Sequence, residues 1–163
     1  MYSFGRILLF LFFNYSTYLL ITNLSELYAC PLYFFAWYLI SAMETLKFSE
    51  GLIALFCLGL FIDSSSQNIP FGLSSCLFLS FFITLKPNSL HNTFFHYPKR
   101  WLFCLNGIVH IFFLIGIILI KKLPCLVLFQ SWPSILISAC LVFIFYSPLR
   151  YLQKLLFQKC FHI

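Results

Sequence analysis

The reading of the chain turns on residues 51–85: GLIALFCLGLFI (51–62), DSSSQN (63–68) and IPFGLSSCLFLSFFITL (69–85). Two apolar runs flank one short polar turn, the pattern of two membrane-crossing helices joined as a hairpin. The first run has only 12 residues between Glu50 and Asp63. At 1.5 Å per residue that is about 18 Å, short of the ~30 Å hydrocarbon core of a bilayer. This helix is therefore expected to borrow its first turn from Phe48-Ser49-Glu50, to tilt little, or to sit where neighbours shield it.

Working outward, the same alternation of apolar run and polar punctuation recurs along all 163 residues and predicts about six spans. They fall at about 5–22, 27–43, 48–62, 69–85, 101–120 and 134–152. Asn23-Leu24-Ser25-Glu26 ends the first, Pro31 stands near the start of the second, and Lys121-Lys122-Leu123-Pro124 closes the fifth. Cys125 to Phe129 is apolar but too short to cross, so it reads as an interfacial stretch. From Arg150 onward bases alternate with Leu, Phe and Tyr, and a basic tail over 153–163 is expected to lie on the membrane face after the last helix ends. The run Ile7 to Phe13 continues past Asn14 with no small-x-small cleavage pattern, which favours an uncleaved first span over a signal peptide.

Composition agrees with that partition. The chain is 62% hydrophobic and 9% charged, whereas soluble domains run near about 45–50% apolar and about 25% charged. With so few charges the excess apolar surface has to face lipid. No polar tract is long enough for a separate soluble domain, so 1–163 is expected to form a single all-α, polytopic transmembrane bundle. The net charge of +6 is scattered singly or in short clusters between apolar runs, which marks topology and not nucleic-acid binding. Six spans with the N-terminus inside place Arg6, Lys47, Lys86, Lys99, Arg100, Arg150, Lys154 and Lys159 inside, against Lys121 and Lys122 outside. Lys and Arg concentrate on the cytoplasmic side of membrane proteins, so both termini are expected in the cytoplasm.

Catalytic groups are scarce. There is no His-Glu-x-x-His, no Gly-x-Ser-x-Gly and no glycine-rich phosphate loop. Four carboxylates and four scattered histidines offer little for acid–base chemistry, and the seven cysteines include no Cys-x-x-Cys pair. No cofactor, metal or catalytic residue is expected. Ionisable and polar groups within the bilayer are the natural candidates for function. Asp63 is one, either a carboxylate capping the following helix or solvated at the interface, or one that binds a partner at the mouth of the bundle. Asn106 and His110 lie four apart on the fifth span and share a face, to line a polar cavity or to bond a neighbouring helix. Asn14 in the first span is a similar case.

The stretch 51–85 also resembles the middle of the MreD family of bacterial rod-shape-determining membrane proteins. In that family an apolar helix ends in Gly-x-x-x-Asp, a short turn follows, and a Pro-x-Gly motif opens the next helix; the matching positions are Gly59, Asp63, Pro70 and Gly72. Gly59 would let a neighbouring helix approach, Pro70 would occupy the next helix's first turn, and Gly72 would again permit close packing. The serine-rich turn lacks the glycine often found there. The resemblance implies a non-enzymatic scaffold of the cell-wall elongation complex in the bacterial inner membrane. Its implied direct partner is an MreC-like periplasmic protein, with an MreB-like filament, a RodA-like polymerase and a penicillin-binding transpeptidase in the wider assembly. The fold implied is similar to the substrate-capture subunits of energy-coupling-factor transporters. A small-molecule capture subunit is thus the rival reading, although the first span lacks the small-x-x-x-small seam those proteins use for docking.

Overall fold

A computed structural model describes residues 2–27, 33–65, 69–85, 99–124 and 131–161. The described residues form helices and no strands: α1 (Tyr2–Leu27), α2 (Phe35–Thr45), α3 (Phe48–Ser65), α4 (Leu73–Leu85), α5 (Lys99–Lys121) and α6 (Trp132–Phe161). Four of them, α1, α3, α5 and α6, are long and apolar enough to cross a membrane. At about 1.5 Å per residue, α2 with its 11 residues and α4 with 13 are shorter than the hydrocarbon core is thick. Phe12, Phe71 and Leu119 are each more than 70% exposed. Water would penalise such a surface and lipid does not. The protein is helical and membrane-spanning.

The two shorter helices are positioned by their neighbours. A two-residue link, Leu46-Lys47, reverses the chain between α2 and α3, with the Leu46 amide closing on the Ala42 carbonyl at 3.1 Å. Glu50 returns its carboxylate to the Lys47 amide at 3.2 Å, one half of a capping box that starts α3. The first turn of α3 is thus Phe48-Ser49-Glu50, the turn that its short apolar run needed. Every residue from Phe34 to Ala42 is buried, because α2 is enclosed by α3, α4, α5 and α6. A short helix shielded on all sides need not match the bilayer's thickness.

Helix directions alternate. Ser3 meets Glu50 near one end of the α1–α3 contact and the Tyr15 and Ser65 hydroxyls meet at 3.2 Å near the other, so α1 and α3 run the same way. The α3–α4 hairpin and the Gly116–Leu73 and Phe112–Phe81 contacts set α4 against both α3 and α5. Tyr33 meets Ser138 and Ser41 meets Gln153, which makes α2 and α6 parallel. The end at which α1 starts is therefore the end at which α6 finishes. The aromatic core, Phe35, Tyr38, Phe78 and Phe113, fills the centre around α2.

Four boundaries differ from expectation. Asn23-Leu24-Ser25-Glu26 does not end the first helix, which runs through it to Leu27 with the Thr22 and Ser25 hydroxyls bonded back to carbonyls of the preceding turn. The second helix starts at Phe35, where Asn106 caps it, and not near 27. The last helix does not stop near 152; α6 continues through Pro148 to Phe161. Proline removes one backbone N–H bond, a loss that packed neighbours in a membrane bundle tolerate. Gln153 and Phe157, four apart and both under 8% exposed, face the bundle, so the basic segment is packed helix and not a tail laid on the surface. The fourth helix starts at Leu73 and not at Ile69, because the turn consumes the intervening residues. Pro31, Lys86 and the stretch 125–129 lie outside the described residues, as do the side chains of Lys99 and Arg100.

Candidate functional site

At one end of the bundle the α3–α4 hairpin gathers Gly59, Asp63, Pro70 and Gly72. Gly59 lies directly on α4: a Cβ there would stand 2.5 Å from both the Ser75 Cα and its amide nitrogen, so no other residue lets these two backbones come as close. Ser75 uses that proximity to donate its hydroxyl to the Phe56 carbonyl at 3.0 Å. One turn further along α3, the Asp63 carboxylate accepts the Gly72 amide at 2.8 Å and the Ser74 amide at 3.2 Å. These are free donors at the start of α4, and a carboxylate there also opposes the positive end of the helix dipole. Asp63 is 3% exposed. Its carboxylate is committed to capping α4 from the preceding helix and does not project at the mouth of the bundle.

Pro70 and Gly72 take roles other than those expected. Pro70 sits before the helix, where its carbonyl accepts the Leu73 amide at 3.2 Å to close the turn. Gly72 has φ +89°, a left-handed conformation that side chains disfavour, and a Cβ on it would meet nothing within 4 Å. Glycine is needed there for the backbone angle and not for close packing. That angle aims the Gly72 amide at Asp63.

Asn106 and His110 occupy a different place, beside the start of α2. Asn106 accepts the Ala36 amide on Oδ1 at 3.1 Å and donates Nδ2 to the Tyr33 carbonyl at 3.2 Å. It thereby replaces the side-chain cap that Phe34, the N-cap residue, does not provide. His110 is fully buried, edge-on to Tyr33 with ring centroids 4.8 Å apart and to Phe35 at 6.1 Å. Neither of its ring nitrogens has a hydrogen-bond partner among the described residues. The shared helical face brings the two side chains to one locality, where the asparagine caps a helix and the histidine packs in an aromatic box.

A third polar cluster joins α1, α2 and α6. Asn14 donates to the Ser41 hydroxyl at 3.3 Å, and Gln153 donates to the same hydroxyl at 2.5 Å; the three residues are at most 2% exposed. Toward the end of the bundle Arg150 grips Glu44 with Nε and Nη2, each at 2.9 Å from a carboxylate oxygen. The Tyr146 hydroxyl reaches Glu44 at 3.3 Å, and its ring lies 5.6 Å from the guanidinium. Of this set the sequence singled out only Asn14. Ser41 and Glu44 lie three apart on α2, and Arg150 and Gln153 three apart on α6, so each pair shares a helical face; that spacing was the available signal.

The described residues hold no group of three or more His, Cys, Asp or Glu side chains fit to bind a metal ion. Comparison with protein-family models, with curated proteins and with solved structures found no match to this chain.

Proposed function

We propose that this protein is a non-enzymatic membrane scaffold of a bacterial cell-wall elongation complex, with an MreD-like role. The observation that carries the reading is the α3–α4 hairpin. The four positions on which the resemblance rests, Gly59, Asp63, Pro70 and Gly72, all serve one tightly built turn. A motif that specifies a rigid hairpin suits a protein whose product is a shaped surface and not a reaction. In this reading six helices cross the inner membrane with both termini cytoplasmic, α2 and α4 spanning in the shelter of the longer helices.

The wide apolar faces of α1 and α5 then serve lipid and partner helices together. A substrate-capture role is the competing reading. The outward face of α1 opposes it, because Phe4, Leu8 and Phe12 stand exposed where a seam of small residues would be needed.

Co-expression of the full chain with an MreC-like protein, followed by detergent extraction and affinity capture, tests the proposal. Recovery of a stoichiometric complex is expected. Absence of the complex from a folded and inserted sample overturns the scaffold role. Saturable binding of a small molecule by the same sample, without the complex, favours substrate capture instead.

A further inference from the structure

The seam between α1, α2 and α6 holds an acceptor and a donor that no group among the described residues meets. Asn14 spends its amide N–H groups on the Phe10 carbonyl at 2.9 Å and on Ser41, while its Oδ1 is buried without a partner. Trp37, one turn before Ser41 on α2, buries its indole N–H equally unmet. The Trp37 ring lies between Phe13 of α1, at 6.4 Å, and Tyr146 of α6, at 6.1 Å. Both orphan atoms therefore belong to one seam. Ser41 adds to it: its oxygen already accepts from Asn14 and Gln153, so its own proton is available.

Unmet polar groups at membrane depth are costly because the hydrocarbon offers them nothing. A water molecule, which donates and accepts in several directions, suits an unmet acceptor and an unmet donor buried on the same helix seam. The polar groups also continue outward from the seam. Gln153 approaches the Thr45 hydroxyl at 3.5 Å, and Tyr146, Glu44 and Arg150 follow at the end of the bundle. The Arg150 and Glu44 side chains keep 22% and 17% of their surface accessible.

We propose that this seam binds internal water, admitted past the Glu44–Arg150 pair, with Asn14 Oδ1 and the Trp37 indole N–H as its innermost ligands. The central helix α2 is thus wetted along one face while its other faces pack against aromatic rings. The site goes beyond the scaffold reading and does not depend on it.

Proton-detected solid-state NMR of the full chain in lipid bilayers, labelled with ¹⁵N-tryptophan, tests the proposal. Magnetisation transfer from the water resonance to the Trp37 indole proton is expected, the signal being assigned by its loss in Trp37→Phe. Trp132, 52% exposed at the start of α6, serves as the positive control. Transfer at Trp132 with none at Trp37 overturns the proposal, as does transfer only at a lipid hydroxyl frequency. Asn14→Leu is expected to abolish transfer at Trp37 and leave Trp132 unchanged; persistence at Trp37 refutes Asn14 Oδ1 as a ligand. If that variant does not insert, the unmodified chain still decides the matter. Arg150→Gln is expected to speed deuteration of the Trp37 indole by several-fold on transfer to D₂O, and an unchanged rate excludes this pair as the entrance.

Discussion

Replacing Asp63 by alanine removes the acceptor from two amides at the buried start of α4, Gly72 at 2.8 Å and Ser74 at 3.2 Å. An unpaired buried backbone donor costs about 1–3 kcal/mol, so the two together predict about 2–6 kcal/mol of lost stability. The negative charge opposing the helix dipole adds about 0.3–1 kcal/mol. Both amides lie on Oδ2, so Asp63→Asn can keep an oxygen for them, but it turns an NH₂ group toward the Ser74 amide, 3.3 Å from Oδ1, and its loss is expected to be about half as large. Ser64→Ala is the control, since Ser64 is exposed and, among the described residues, bonds only the Phe61 carbonyl of its own helix; it is expected to stay within about 0.5 kcal/mol of the parent. The assay is equilibrium unfolding in mixed micelles of mild detergent and SDS, followed by circular dichroism. The order Ser64→Ala, Asp63→Asn, Asp63→Ala is the expected ranking of increasing damage. An Asp63→Ala protein within about 0.5 kcal/mol of the parent would refute the capping role and return the carboxylate to candidacy as a partner contact.

Gly59→Ala is expected to push α3 from α4 and cost about 1–3 kcal/mol by overpacking, measured in the same titration; a neutral result would mean that the hairpin is looser than its Ser75 contact implies. Asn106→Leu leaves the Ala36 amide uncapped and is expected to lower stability by about 1–2 kcal/mol. His110→Phe removes two unpartnered nitrogens from an aromatic box and is expected to be neutral or stabilising by up to about 1 kcal/mol. Equal damage from the Asn106 and His110 substitutions would refute that division of roles. For the six-span topology, reporters inserted after Lys47 and after Lys122 are expected on opposite faces of the membrane, cytoplasmic and external respectively. Finding both on one face rules that topology out.

The hairpin was legible because its signals are local. Aspartate, proline and glycine interrupt apolar runs within a few residues of one another, and the first turn of α3 was recoverable from helix length alone. What Gly72 does was not legible, since a glycine wanted for its backbone angle and one wanted for close approach look the same in sequence. The central position of α2 was hidden for a related reason: its composition resembles that of its lipid-facing neighbours, and only packing separates them. The Asn14–Ser41–Gln153 cluster depends on side chains 27 and 112 positions apart from Ser41. The Glu44–Arg150 pair spans 106 positions. Local spacing can place each residue on a helical face, but it does not say which faces meet. The end of the last span was placed near 152 because bases follow from Arg150, whereas in the packed bundle the helix runs on to Phe161.

The junction of α6 with α1 and α2 also bears on how the molecule is made. A chain built from its N-terminus completes α1 and α2 long before Gln153 and Arg150 exist, so Ser41 and Glu44 enter the bilayer without their later partners. The final helix is what neutralises the carboxylate and supplies the second amide to the serine. A nascent chain halted before Arg150 therefore carries an unsatisfied acid and an uncovered polar seam on its innermost helix. The polar pairing of the central helix is thus completed only once this part of α6 has packed against it.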